Sequence, residues 1–288
     1  MLHHDGGPGT GGPGRPAGAA LRRPRADCTA DSAGGLTFDV AAPGGEEDWG
    51  AALLLRRRGG PGPGASVRLP LFPSGRGRLR AALPSTMPLA EGRWDAFLAS
   101  SGGPPRRLRP GTSDLDSLVE RVPGVHRTWL GVRIPYATRH DNLTVRAWLR
   151  WPHAEASRVV RTERGVSVRG RLYGAQLGRG AVLETLPRQR SGGPLRSAVG
   201  PVAGDGAEFG CELPCEALDG PGLWHLWLRP SAAAEPVRLA RILDDLPDKR
   251  RLELCPPLAL DGLSVTPCYT SSNDLALRAE RTGTSVTS

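Results

Sequence analysis

The sequence predicts an all-β protein made of two tandem β-sandwiches, and three observations carry that expectation. The chain repeats itself at an offset of 130 residues. Period-two alternation of apolar side chains recurs at matching places in both copies, and Gly, Pro, Asn and Asp interrupt it roughly every 10 residues. No segment keeps a helical period.

The repeat is ungapped from Leu36–Leu98 against Val166–Leu228, with identities that include Gly50/Gly180, Leu53/Leu183, Leu83/Leu213, Gly92/Gly222, Trp94/Trp224 and Leu98/Leu228. One inserted residue then aligns Arg107 with Arg238. A second aligns Pro135 with Pro267, Thr138 with Thr270 and Leu143 with Leu275. Insertions of this kind fall in loops. The expected organisation is a disordered Gly/Pro-rich tail over 1–25, repeat one over 26–150, repeat two over 151–281 and a short tail over 282–288.

Taken along the chain, strands are expected at Leu36–Val40, Ala51–Leu55, Val67–Leu71, Leu79–Leu83, Trp94–Leu98, Val132–Pro135 and Leu143–Trp148, with partners in copy two. That makes seven or eight per copy. Asp114–Arg121 and Asp244–Arg251 are candidates for a short helical turn. On the Trp94 strand, alternation turns Trp94, Ala96 and Leu98 one way and Phe97 the other; copy two repeats this with Trp224, Leu226 and Leu228 against Trp227. Trp94 and Trp224 therefore read as sandwich cores. Trp148 and Trp151 flank the junction and read as glue between the copies.

Composition narrows the function. Net charge is +9, yet all of the 38 basic residues except Lys249 are arginine, scattered along the chain with Arg56–Arg58 as the longest run. Nucleic-acid binding rests on a clustered basic footprint, so no nucleic-acid partner is expected. The 5 cysteines are odd in number and do not recur between copies. They read as free thiols of a reducing compartment rather than a disulfide framework. The longest apolar run, Ala51–Leu55, is far too short for a bilayer span, and the N-terminus has no secretory pattern. The expected location is cytoplasmic, with peripheral membrane contact left open.

Catalytic motifs are missing: no Gly-x-Ser-x-Gly elbow, no P-loop, and 6 histidines that do not recur. No catalytic residue and no cofactor are assigned. The outward rings of Phe97 and Trp227 suit stacking on a sugar, or packing under a loop. His225 lies beside Trp227 on its strand, and Arg107 and Arg238 recur between the copies. Tyr136 with Asn142, and Tyr269 with Asn273, form hydroxyl-rich loops that read either as a ligand-binding cluster or as turns. Asp114, Asp116, Asp244 and Asp245 are carboxylates close enough in sequence to hold a divalent cation, or to cap a turn and pair with arginine.

Gly222-Leu-Trp224-His-Leu-Trp227-Leu228, Val237-Arg-Leu239, Leu243-Asp244-Asp245-x2-Asp248-Lys249-Arg250 and Tyr269-Thr270-x2-Asn273-Asp274-Leu275 together resemble a known unit. It is the C-terminal β-sandwich accessory part of actinobacterial cell-wall polymer transferases. These are family 2 glycosyltransferases and CDP-glycerol glycerophosphotransferases of the teichoic acid type. The resemblance implies immunoglobulin-like sandwiches that assist polymer binding or oligomerisation, with catalysis in a separate α/β domain that has no counterpart in these residues. The expected function is a non-catalytic accessory module that binds a glycan or anionic cell-wall polymer or docks a glycosyltransferase. The alternatives are a transferase with an unrecognised site and a purely structural interaction protein.

Overall fold

The computed structural model describes residues 23–41, 50–60, 62, 65–100, 103–119, 121–124, 128–188, 194–201, 206–260 and 262–282. The expected tails lie almost wholly outside these residues. The first half is β1 (Arg25–Ala30), β2 (Leu36–Ala41), β3 (Ala52–Arg57), β4 (Ser66–Pro70), β5 (Phe72–Pro73), β6 (Arg78–Leu83), β7 (Gly92–Ala99), β8 (Arg106–Arg107), β9 (Arg109–Asp114), the single turn α1 (Asp116–Val119), β10 (Leu130–Ala137) and β11 (Leu143–Arg150). The second half is β12 (His153–Arg161), β13 (Gly165–Tyr173), β14 (Val182–Pro187), β15 (Leu195–Ala198), β16 (Gly200–Pro201), β17 (Glu208–Pro214), β18 (Gly222–Arg229), β19 (Val237–Ala240), β20 (Leu258–Leu260), β21 (Leu263–Tyr269) and β22 (Leu275–Arg281).

The repeat is visible strand by strand. β3 and β14, and β7 and β18, begin and end 130 residues apart. In the first half β6–β2–β1 forms one sheet, and β4–β3–β7 with β8 forms the core of the other. The chain then crosses from β7, where β8 pairs antiparallel, to β1, where β9 pairs parallel. This is the strand order of an immunoglobulin-type sandwich. In the second half β19 makes the same crossing unbroken, antiparallel to β18 and parallel to β12, so the strands join into one continuous sheet. Each half adds a hairpin, β10–β11 or β21–β22, beside the lower half of its tryptophan strand.

More strands are present than the seven or eight expected, because short edge segments such as β5, β8 and β16 carry too few residues to show alternation. The turn expected at Asp114–Arg121 is realised only as α1; residues 244–251 contain no helix. Among the described residues no helix is long and apolar enough to cross a membrane.

Two cores fill the sandwiches. Trp94 packs with Phe38, Leu53, Leu55 and Leu83, and Trp224 packs with Val168, Leu183, Phe209 and Leu213. Each indole donates from Nε1 to a carbonyl four residues back, Ala90 at 2.9 Å and Gly220 at 3.4 Å, which satisfies its one polar atom. The cysteines are all free, and burial pushes the Cys28 and Cys211 thiols up to about 12. Such thiols are poor nucleophiles and act as small apolar residues.

The first sandwich also buries Arg133, whose guanidinium reaches inward to the carbonyls of Gly34 at 3.2 Å, Pro84 at 2.8 Å and Met87. Burial pushes its pKa down to about 10, still well above neutrality. Arg133 thus ties together three loop carbonyls that strand hydrogen bonds leave over.

Truncating either core tryptophan leaves a large cavity. Trp94→Ala and Trp224→Ala should each cost about 3–5 kcal/mol, read from denaturant midpoints. Phe97→Ala on the outer face should cost clearly less; an equal loss would contradict the inward and outward assignment.

Candidate functional site

The outward face of each tryptophan strand carries the same cross-strand pair. Phe97 on β7 sits opposite Arg107 on β8, and Trp227 on β18 opposite Arg238 on β19. The guanidinium lies over the ring in both, 4.9 Å from the Phe97 centroid and 5.6 Å from that of Trp227. These are cation–π contacts. Alternation set the rings outward, and register set the arginines beside them.

The surroundings differ. In the first sandwich a second guanidinium, Arg56, stands 5.2 Å from the Phe97 ring. Two positions earlier, Asp95 binds Arg58 Nε at 2.9 and 3.0 Å and Arg107 Nη2 at 2.6 Å, and it accepts the Thr144 hydroxyl at 3.0 Å. Burial pushes the Asp95 carboxyl up, but the guanidiniums and the hydroxyl outweigh it and hold its pKa below the usual value. In the second sandwich the matching positions hold Leu186 for Arg56, His225 for Asp95 and Ala276 for Thr144. Burial pushes the His225 imidazole below its usual range, with Asp274 opposing, so it is neutral at pH 7.

Trp227 also faces a cavity of about 310 Å³ at the junction of the sandwiches. Trp227, Glu235 and Arg238 line it from the second sandwich, Glu91 and Arg150 from the first, and Trp151 and Pro152 from the connection. The Trp151 indole lies against Gly174 (φ +78°), where a Cβ would come within 2.3 Å of the ring. Arg150 spans the junction. Its Nε and Nη2 bind Glu91 at 3.1 and 2.8 Å, and its Nη1 lies 2.8 Å from Asp274 Oδ1. Those last two atoms are close but not aligned for a directed hydrogen bond. Burial pushes the Arg150 pKa down, and the two carboxylates more than reverse it. The Asp274 Oδ2 atom is 3.7 Å from Arg238, so the ion network continues to the Trp227 pair.

The outer face of the β10–β11 hairpin closes the junction. Trp148 Nε1 donates to the Ser272 carbonyl at 2.9 Å, and Arg146 Nη2 to that of Ser271 at 3.2 Å. Ala240 and Ile242 join the first sandwich's core from the other side. Glu155 holds that segment by accepting the Ile242 and Leu243 amides at 3.0 Å and pairing with His153 at 2.7 Å.

The remaining sequence candidates are placed differently. Tyr269 is only 3% exposed within the second core, and its pKa is pushed up to about 12 by burial. Asn273 is fully buried; it accepts the Lys249 amide at 3.1 Å and donates to the Leu246 carbonyl at 3.2 Å. Neither presents a surface to a ligand. The loop expected to bind hydroxyls is a hairpin turn in both copies, with Asp141 and Asn273 at the left-handed position (φ 54° and 59°). Asn142 therefore corresponds to Asp274, not to Asn273, and its Oδ1 accepts from Arg23. Tyr136 is half-buried on β10, opposite Thr144.

Asp114 and Asp116 are exposed at the end of β9 and the start of α1. Asp244 is neutralised by Lys249 Nζ at 2.5 Å and Arg241 Nε at 3.3 Å and caps the Leu246 amide at 3.0 Å, while Asp245 is exposed. An ammonium already fills the place a cation would take. Among the described residues no three His, Cys, Asp or Glu side chains are grouped to hold a metal. Glu91, Arg150 and Glu235 were not singled out from sequence, and Asp274 entered only as part of the Tyr269–Leu275 segment. The tryptophans flanking the junction were the one signal pointing there.

No protein-family model and no curated protein matches the sequence. Among solved structures, the chain is similar to S. aureus TarS, residues 217–571, at 14% identity and TM-score 0.30, over 66% of this chain and 55% of that one. A second TarS structure matches at 12% identity and TM-score 0.30, over 70% and 38%. The chain thus spans about half or less of these proteins. A marsupial T cell receptor matches at 8% identity and TM-score 0.26, over 91% and 92%.

Arg150→Met removes the charge between two carboxylates and should lower stability by about 3 kcal/mol, seen in calorimetry as loss of coupling between the halves. Unchanged melting would show that the junction does not depend on Arg150. Acid should act on Asp95 and Glu184, whose folded pKa values lie below their unfolded ones. For Glu184, burial opposes and Arg229 and Arg196 outweigh it. Their contribution is complete above the ordinary carboxylate range, about 4, and is lost as pH falls through the depressed folded values. The acid limb of stability against pH should be shallower in Asp95→Asn and Glu184→Gln than in the wild type.

Proposed function

We propose that this chain is a non-catalytic binding module that holds a sugar or polyol-phosphate unit of a cell-wall polymer in the cleft between its two sandwiches. The observation that carries the reading is the Trp227–Arg238 pair, which recurs as Phe97–Arg107 and in the second copy lines the junction cavity. A flat indole face suits the apolar face of a sugar ring. A carboxylate such as Glu235 accepts from hydroxyls, and the half-exposed Arg238 offers charge to phosphate. His225, neutral beside the tryptophan, adds a donor or acceptor without charge.

The resemblance of the Trp224–Leu228, Asp244–Arg250 and Tyr269–Leu275 segments to accessory units of teichoic-acid-type transferases supports the choice of polymer. It also supports a transferase as docking partner and a cytoplasmic site beside the membrane.

Calorimetry of the wild type against a poly(glycerol phosphate) or glycosylated teichoic-type polymer should show binding. Trp227→Ala should weaken it roughly tenfold or more, on the order of 1.4 kcal/mol. A wild type that binds no such polymer would overturn the reading. Turnover of CDP-glycerol or a nucleotide sugar in the presence of divalent metal would instead establish the transferase alternative.

A further inference from the structure

The arginines that look scattered in sequence gather on one sheet face. Outward positions of β4, β3, β7 and β8 bring Arg68, Leu54, Phe97 and Arg107 into one row across the strands. The next row contains Arg56 and Asp95, and Arg58 and Arg93 stand one step further on. Rows lie about 6.6 Å apart along a strand and neighbouring strands about 4.8 Å apart. Among the described strand positions of this face Asp95 is the only carboxylate, and it is shared between Arg58 and Arg107. Arg56 lies over Phe97 and Arg68 donates to the Gly50 carbonyl at 2.9 Å, and neither makes an ion pair among the described residues. Arg56, Arg58 and Arg68 are exposed, whereas Arg146, on the same face of β11, is covered by the second sandwich.

The matching face of copy two is not basic in this way. Glu184 there takes both Arg196 and Arg229, and Leu186 replaces Arg56. That face still carries Arg188 and Arg238 outside the Glu184 cluster, so the two copies differ in how the guanidiniums are arranged, and the exposed row of Arg56, Arg58 and Arg68 is peculiar to the first sandwich. It also leads somewhere: along β7 the outward positions run from Phe97 through Asp95 and Arg93 toward Glu91, a wall of the junction cleft.

We infer that the outer face of β4–β3–β7–β8 is a second binding surface, for an extended phosphodiester polymer that lacks planar bases. The inference rests on the polymer-binding reading of the cleft and extends it. Guanidinium forks match phosphate oxygens in a bidentate manner, and a row of them neutralises a chain of phosphates without reading sequence. Single-stranded nucleic acid would add stacking on exposed aromatic faces. The one central ring of this face, Phe97, is taken by two guanidiniums. The surface thus offers charge without a stacking platform.

The test uses the full chain and its exposed arginines, Arg56→Gln and Arg68→Ala, singly and together, with circular dichroism to check folding. Titration with poly(glycerol phosphate) over a range of salt should show the double variant at least tenfold weaker at low salt. Its slope of log K against log salt should be shallower by about 1 for each phosphate contact removed. Conservative Arg56→Lys and Arg68→Lys should retain most of the slope. Unchanged affinity and slope in the double variant would overturn the inference, as would binding of poly-uridine as tight as that of poly(glycerol phosphate). The two readings separate cleanly. Loss in Trp227→Ala with none in the arginine variants leaves the cleft and removes this surface; the reverse pattern leaves this surface and removes the cleft.

Discussion

The fold depends most on a covered sheet face. Each sandwich has its own inner core, but the β10–β11 hairpin of the first turns Val132, Ile134 and Trp148 outward, and all are buried. Apolar surface of that extent must be removed from water. The cover is the second sandwich, through the Ala240–Leu243 segment and the turn before β22. Arg150 then fixes the arrangement with carboxylates from both sides. The cleft lies beside this hairpin contact, walled by Glu91 and Arg150 on one side and Trp227, Glu235 and Arg238 on the other.

Duplication explains the framework, and divergence explains where chemistry has collected. Both copies keep the inward tryptophan, the aromatic–arginine pair, the crossing strand and the hairpin turn with a left-handed Asp or Asn. Around the shared pair the two copies carry different side chains. With His225 in place of Asp95, Ala276 in place of Thr144 and Leu186 in place of Arg56, the carboxylate that joins two guanidiniums beside Phe97 has no counterpart beside Trp227. One ancestral position now offers two different chemistries.

Much of this was legible in the sequence because strand alternation and an internal offset are local signals. The inward and outward sides of β7 and β18 followed from period two, and strand limits repeated at the expected offset. Contacts set by register were not legible. Arg150 meets Asp274, and Lys249 meets Asn273, through strand pairings and loops that no local pattern encodes. The Tyr-Thr-Asn loop was open to two readings for a related reason. The residue types that bind hydroxyls also build tight turns, and only burial showed that Asn273 and Tyr269 are spent on structure. Scattered arginines looked unlike a patch because neighbours across a sheet are far apart in sequence.

The chain's one lysine has a wider consequence. Lys249 is fully buried, bound to Asp244 and to the Leu246 carbonyl. The exposed positive charge of the described strands is therefore guanidinium, which keeps its proton throughout the physiological range. Attraction of this surface for anions does not fade in mildly alkaline conditions, and lysine acetylation has no exposed side chain here on which to act. A basic surface of this kind is fixed in strength, and among ordinary solution conditions only ionic strength remains to tune it.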